Sequence, residues 1–400
     1  MERFFNTAGP VKPEIHYCLP PLARLDLPDL LNLIDQEKYF VLHAPRQTGK
    51  TTCLLALMEH LNREGRYTCL YTNVEAVQAV QAVEAVEAVE AVQAVEAVEA
   101  VQAGQAGQAG RAGRAGRENL APAMEAILRG IADNARHCLG DTTLLESYRA
   151  VLANYGPLIA LESFLGLWAS QSQKPVVLLI DEIDSLVGDT LISVLRQIRS
   201  GYVRRPAAFP QSIVLCGVQD VRDYRLRRNE GKEVITGGSP FNIKAQTLRL
   251  GNFAREEVAA LYGEHTRETG QLFEAGALGR VWDLTRGQPW LVNALAHEAC
   301  FEMREARDRS IPVTGELIDR AKENLIRRRE THLDHLRDNL KEERVRRVLE
   351  FRLATARFDR DVPDDDDLQY VIDHGLVTRG ARGLEVANPI YQELISSQLT

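Results

Sequence analysis

The sequence predicts an α/β fold: a parallel sheet flanked by helices, then a helical module and a small C-terminal module of helices and a hairpin. Three observations lead there. The stretch Ala44-Pro-Arg-Gln-Thr-Gly-Lys-Thr-Thr52 has the form A-x-x-x-x-G-K-T and joins an apolar run to a helical pattern. The later stretch Val176-Val-Leu-Leu-Ile-Asp-Glu-Ile-Asp184 is an apolar strand closed by Asp-Glu. Around them, short apolar strands alternate with amphipathic helices, the pattern of a parallel sheet with its site at the C-terminal edge of the strands.

Tyr39-Phe-Val-Leu-His43 has strand character, and Thr51-Thr-Cys-Leu-Leu-Ala-Leu-Met-Glu-His-Leu61 has helical periodicity. This is the strand–loop–helix context that a phosphate-binding loop requires. The candidate nucleotide-binding residues are therefore Ala44, Pro45, Arg46, Gln47, Thr48, Gly49, Lys50, Thr51 and Thr52. Backbone N–H groups of Gln47 to Thr51 would wrap phosphates at the positive end of the helix. Gly49 allows close backbone approach. Lys50 would reach the β and γ phosphates, Thr51 would ligate magnesium, and Thr52 would bond the α phosphate. Ala44 stands where such loops usually carry their first glycine, and it fits if its φ stays negative.

Val176 to Ile180 carries no polar residue, as befits a strand buried on both faces. Asp181 at its end would hold magnesium through water, and Glu182 would orient and polarise the attacking water. Lys50 and Glu182 are the catalytic candidates. The alternative is that Asp-Glu-Ile-Asp opens the next helix, where acids suit the dipole, and Asp184 is expected to do so. Ser212-Ile-Val-Leu-Cys216 is another buried strand. Gln219 and Asp220 follow it, where a polar side chain would either meet the γ phosphate or cap a turn. The cofactors implied are a nucleoside tri- or diphosphate with Mg2+.

Other elements follow in order. The strand Tyr67–Thr72 precedes a run of triads, Val-Glu-Ala or Val-Gln-Ala from Val74 through Ala103, then Gly-Gln-Ala and Gly-Arg-Ala through Ala115. Each triad steps about 300° around a helix, so the valines form no fixed stripe. The run, placed at 74–117, is either a tolerated coding expansion or an arm for a partner or for self-association. A helix over Asn119–Ala132 closes this insertion. Helices are also expected over 158–169 and over Leu191–Arg199. Arg196, Arg199, Arg204, Arg205, Arg222, Arg225, Arg227 and Arg228 compete for the role of an arginine finger.

Residues 253–335 read as helical, with Asn252 capping the first helix and Thr285-Arg-Gly-Gln-Pro-Trp290 turning into an apolar one. Val345–Ala354 and Leu368–His374 read as helices, and Gly375–Thr378 and Leu384–Ala387 as a hairpin, together a small winged helix. The segment before its second helix is Asp364-Asp-Asp-Asp367, which repels a phosphate backbone. Three domains are expected: 1–250 binding the nucleotide, 251–340 a helical lid, and 341–400 the winged helix.

Composition bounds the rest. The chain has 400 residues, 45% of them hydrophobic, enough for real cores. A net charge of −8 gives no support to broad binding of nucleic acid. The six cysteines are isolated and read as reduced, buried thiols. No apolar run reaches membrane-spanning length and Met1-Glu-Arg-Phe-Phe5 is no signal peptide, so a cytoplasmic chain is expected.

With these residues in view, the chain resembles the AAA-like P-loop ATPases of the STAND and archaeal-ATPase (Orc1–Cdc6-like) group. The carriers are Phe4-Phe-Asn-Thr-Ala-Gly-Pro10, Ala44–Thr52, Leu179–Asp184, Ser239-Pro-Phe-Asn-Ile-Lys244, Gly287-Gln-Pro-Trp-Leu-Val292 and Ala387-Asn-Pro-Ile-Tyr391. The resemblance implies a helical lid and a winged helix, Pro289 near the nucleotide base, and ATP and ADP as the nucleotides bound with Mg2+ rather than GTP. It allows a sensor arginine at Arg286 without demanding one. The activity expected is magnesium-dependent ATP hydrolysis driving a switch that controls assembly or a protein partner. The alternatives are a DNA-binding initiator or transposition-type ATPase, and a scaffold that holds nucleotide without hydrolysis and binds through the repeat. A homo-oligomer in the ATP state fits the first, and DNA is the less favoured partner.

Overall fold

The computed structural model describes residues 2–78, 120–220, 225–227, 234–236, 242–328, 330–354, 366–380 and 383–399. The repeat beyond Gln78, Arg222, Arg228, Ser239 to Phe241, Asp364 and Asp365 lie outside these residues. The chain divides into two compact units. One comprises Leu27–His43 and Leu54–Leu248; the other comprises Met1–Asp26, Ala44–Cys53 and Arg249–Thr400.

The first unit is built on the predicted sheet. Its strands are β1 (Tyr39–His43), β2 (Thr68–Asn73), β3 (Val176–Asp181) and β4 (Ser212–Gly217), then a separate antiparallel pair, β5 (Arg225–Arg227) and β6 (Val234–Thr236), and finally β7 (Lys244–Arg249). The five-stranded order is β2-β3-β4-β1-β7. The β2–β3, β3–β4 and β4–β1 pairs are parallel, with Asn73 opposite Asp181, Ile180 opposite Leu215 and His43 opposite Gly217. The C-terminal ends of β1, β4 and β3 therefore share one sheet edge, with β4 in the middle. All residues of β3 and β4 are buried, as their unbroken apolar runs require.

Helices Leu120–Leu139, Thr143–Tyr155, Ala160–Gln171 and Gly188–Gly201 bury their apolar sides in one cluster with the sheet. The first is longer than the predicted Asn119–Ala132, and Thr143–Tyr155 and β7 had no counterpart in the sequence reading. β7 reads Lys-Ala-Gln-Thr-Leu-Arg and keeps exposed residues because it lies at the sheet edge. Val74 and Val77, the first valines of the repeat, are buried in the same cluster.

The second unit begins with the N-terminal segment, where Phe4 N donates to Ile15 O and Tyr17 N to Phe4 O. Its main helices are Arg255–Thr269, Ala275–Thr285, Pro289–His297, Gly315–Arg328, Thr331–Asn339, Glu343–Ala354, Asp366–Asp373 and Pro389–Leu399. The hairpin β8 (Val377–Gly380) and β9 (Gly383–Val386) is antiparallel and sits close to the expected positions. One buried apolar cluster runs from Phe5 through Leu295, Leu317 and Leu349 to Ile395, so these helices share a core. At roughly 1.5–3 kcal/mol per fully buried large apolar side chain, that core dominates the favourable side of this unit's folding. Asn252 does not cap the first helix as expected. Its side chain donates to Arg286 O, and the helix start is satisfied by Glu257 accepting from Ala254 N at 2.6 Å.

Candidate nucleotide-binding site

The loop residues lie in the second unit. Gln47 (φ +57°) and Gly49 (φ +92°) adopt left-handed backbone, which turns successive N–H groups the same way and makes an anion-binding concavity. Ala44 is not among the positive-φ residues, which is what an alanine at the first position needs. Lys50 opens the following helix and is buried, its Nζ donating to Ala44 O at 2.9 Å and Pro45 O at 3.1 Å. Thr48 Oγ1 donates to Pro45 O, and Thr52 Oγ1 accepts from Val11 N at 3.1 Å. Arg46 and Gln47 are exposed, while Thr51 is half-buried at the helix start. The loop thus has the left-handed turn, the lysine and the helix N-terminus that phosphate needs.

Three features around the loop had no place in the sequence reading. Arg24 donates from Nη1 to Thr48 O at 2.6 Å and from Nη2 to Gly251 O at 2.7 Å. Gly375 (φ +71°) packs on Pro45 so closely that a Cβ would lie 2.7 Å from Pro45 Cγ. Its neighbour His374 is held down at about 4, chiefly by burial, with Arg344, Arg46 and Lys50 adding to the effect. A glycine and a histidine at the junction of an expected helix and hairpin gave no sign of this contact.

The expected base-side turn is ordered. Arg286 and Gly287 are both left-handed and end the preceding helix. Pro289 is buried at the first position of the next helix, and Gln288 Oε1 accepts from Leu291 N at 2.6 Å. Gln288 Nε2 is buried with no hydrogen-bond partner among the described residues. Arg286 is exposed and reaches Asp283 at 3.6 Å, an ordinary surface pair.

The acidic candidates lie in the first unit. Asp181 is fully buried at the end of β3. Its Oδ2 accepts from Tyr71 Oη and its Oδ1 from Glu182 N, both at 3.0 Å. Tyr71 is pushed up, first by burial and then by the Asp181 charge. Such a fixed carboxylate is a hard oxygen donor, the type magnesium takes. Glu182 has φ +56°, an uncommon backbone for a non-glycine residue and one that clusters at functional sites. Asp184 does not start a long helix as expected. A short 3-10 turn, Ile183–Ser185, intervenes, and Asp184 accepts from Val218 N at the end of β4.

Gln219 is buried just past β4, while Asp220 is tied to Lys244 and to the Thr247 hydroxyl. The root of the repeat is also held here: Val74 N donates to Asp181 O at 3.2 Å and Ser185 Oγ to Val74 O at 3.1 Å. Among the finger candidates, Arg204 pairs with Glu162, and Arg205 donates to Tyr202 O and Glu37 O. Arg196 and Arg199 are exposed. Arg225 and Arg227 lie on β5. None of the six cysteines is in a disulfide; Cys53, Cys69, Cys216 and Cys300 are buried as expected, whereas Cys138 is exposed and Cys18 half-buried. Among the described residues no helix is long and apolar enough to cross a membrane.

No protein-family model and no curated protein matches the chain. Solved structures do. A Walker-type ATPase of Pyrococcus abyssi is 12% identical over 98% of this chain and 99% of its own, with a TM-score of 0.58. The ORC2 protein of Aeropyrum pernix is 14% identical over 94% and 93%, at 0.45. The RuvB Holliday-junction branch-migration motor of Thermotoga maritima is 13% identical over 91% and 90%, at 0.40. The last two carry no argument at those scores. The first shows the fold, and the resemblance read from the residues holds at that level.

Proposed function

We propose that this chain, which has the fold of a P-loop ATPase, is a magnesium-dependent ATPase that works as a nucleotide-driven switch. The observation that carries the reading is the loop itself: Gln47 and Gly49 left-handed, Lys50 buried on the loop carbonyls, and a helix starting at Lys50. In this reading the loop N–H groups take the phosphates and Lys50 exchanges the Ala44 and Pro45 carbonyls for them. The Thr51 hydroxyl and Asp181 hold magnesium, which supplies charge neutralisation at the transferring phosphoryl group. Glu182 orients the attacking water and Gln219 reads the γ phosphate. Pro289 and Gln288 border the base.

What supports a switch is the approach of Gly375 and His374 to the phosphate loop within one compact unit. We read Glu343–Leu399 as a winged helix whose seat on the loop differs between ATP and ADP states. Only the ATP state offers a γ phosphate, so it is the differential ligand that any such shift needs. A protein partner or a second copy is the controlled element. DNA is disfavoured by Asp366 and Asp367 in the first turn of the helix Asp366–Asp373, which carries no basic residue in its last turn.

The test is steady-state ATP hydrolysis across a wide range of protein concentration, with Lys50→Ala and Glu182→Gln alongside. Lys50→Ala is expected to lose nucleotide binding. Glu182→Gln should retain binding and lose turnover; normal hydrolysis by that variant means Glu182 has been given the wrong role. Specific activity rising with concentration means sites completed between copies, and a flat slow rate means each chain acts alone. Turnover that rises on adding DNA favours the initiator alternative.

A further inference from the structure

We infer that Arg24 is a positioning residue for phosphate binding: it locks the Thr48–Gly49 peptide so that the Gly49 N–H faces the phosphate side of the loop. The inference rests on the nucleotide reading above. A trans peptide is planar, and its C=O and N–H point in opposite directions. Arg24 Nη1 holds Thr48 O at 2.6 Å. The N–H of the same peptide, on Gly49, must then point away from the guanidinium.

This peptide needs a lock more than its neighbours do. Gly49 sits at φ +92° without a side chain to limit rotation, so an unrestrained loop can turn its N–H outward. The guanidinium also fills the space where a side chain would stand, since a Cβ on Gly49 would lie 2.8 Å from Arg24 Nη1.

The lock is anchored at its other end. Arg24 Nη2 holds Gly251 O at 2.7 Å, and the guanidinium lies 4.7 Å from the centre of the Phe253 ring. Phe253 N in turn donates to Gly287 O at 2.8 Å. The fork of one arginine thus ties the phosphate loop to the stretch that supports the Gly287–Pro289 turn. A lysine lacks the spread planar fork by which two separate nitrogens, Nη1 and Nη2, each take one of these carbonyls.

The charge is as informative as the bonds. Among the described residues Arg24 has no ion pair, and burial lowers its pKa from the ordinary value. The Phe253 ring face and the Glu257 charge offset only part of the desolvation that keeping a cation here costs. An adjacent polyphosphate gives that charge a purpose.

The experiment compares Mg·ADP with AMP on the full chain, by calorimetric titration of the wild type, Arg24→Ala, Arg24→Gln and Arg24→Lys. ADP reaches the Gly49 N–H through its β phosphate, whereas AMP has only the α phosphate, assigned to Thr52. Arg24→Ala and Arg24→Gln are expected to weaken ADP about 10- to 100-fold, the range of one charge-assisted hydrogen bond, and to leave AMP unchanged. Arg24→Lys should fall between, and it carries the comparison if Arg24→Ala does not fold. Guanidinium ion at millimolar concentration should restore part of the ADP affinity of Arg24→Ala. Equal losses for ADP and AMP, or no loss for either, overturn the inference while the wild type still binds ADP. A wild type that binds neither nucleotide sinks the nucleotide reading itself, and the inference with it.

Discussion

Replacing Gly375 by alanine tests the contact on which the switch reading depends. Two separate costs follow from the structure. Gly375 has φ +71°, and an L-residue held there loses about 1–2 kcal/mol. The new Cβ would lie 2.7 Å from Pro45 Cγ and 2.9 Å from Pro45 Cβ, inside normal contact. Neither side yields easily. The proline ring is rigid, and the turn is fixed by Gly375 N to Ile372 O at 3.0 Å and Leu376 N to Val371 O at 3.1 Å. Overpacking of this kind costs about 1–3 kcal/mol. Gly375→Ala should therefore lose ~2–5 kcal/mol of stability in urea unfolding followed by tryptophan fluorescence.

The second cost can be isolated. Pro45→Gly removes both atoms that the new Cβ would meet, so Gly375→Ala in that background should lose only the backbone part, ~1–2 kcal/mol. The coupling between the two substitutions is then the packing part, ~1–3 kcal/mol, and the cycle subtracts whatever Pro45→Gly does alone. Equal losses in the two backgrounds would mean that Gly375 does not rest on the phosphate loop, and the proposed route from the C-terminal helices to the nucleotide would fall.

Three further outcomes are expected. Burial, with a smaller push from His335, holds the His332 imidazole down at about 3. The folded value lies below the ordinary 6.5, so the stabilisation is present above pH 6.5 and is lost as pH falls towards 3. It amounts to ~2 kcal/mol by pH 5. His332→Gln should remove that slope between pH 8 and pH 5, and an unchanged slope would put the titration elsewhere. Tyr71→Phe deletes the donor to Asp181 Oδ2 and should raise the magnesium needed for half-maximal turnover roughly 5-fold, the effect of ~1 kcal/mol of hydrogen bond. Unaltered magnesium dependence would leave Tyr71 as packing only. Gly201→Ala would drive a methyl to 2.2 Å from the fully buried Phe209 ring, so thermal unfolding of the sheet unit should show a loss of ~1–3 kcal/mol or more.

The phosphate loop, β3 and β4 were legible because their signals are local. An unbroken apolar run of five or six residues fits a central strand, and a Gly-Lys-Thr between strand and helix has few other uses. What escaped is carried by contacts between residues far apart in sequence. Arg24 sits 24 residues from Thr48 and 227 from Gly251, in a stretch whose prolines hide any period. Tyr71 meets Asp181 across 110 residues only because β2 and β3 pair in that register. β7 was missed for a different reason: an edge strand with exposed alternate residues lacks the apolar run that marks a central one. A repeat whose valines form no fixed apolar stripe gives no sign that its first two, Val74 and Val77, are buried in the core of the sheet unit.

Three of the stretches that carried the resemblance prove to be one physical cluster. Trp290 Nε1 donates to Thr7 O at 2.9 Å, joining Gly287–Val292 to Phe4–Pro10. Trp290 also stacks on His332 with ring centres 4.6 Å apart, and His332 Nε2 lies 2.6 Å from Tyr391 Oη. Tyr391 N is in turn held by Asn388 Oδ1 at 2.9 Å, which starts the last helix. A buried imidazole kept neutral can accept at one ring nitrogen and stack on its face, so it joins the turn beside Pro289 to the last helix without a charge to desolvate. The two routes from the loop and from this turn, through Gly375 on Pro45 and through His332 on Trp290, both end in the C-terminal helices. A nucleotide held at its phosphates and at its base, as proposed above, would bear on the same element from two sides, while the γ phosphate alone would supply the difference between the ATP and ADP states that a switch requires.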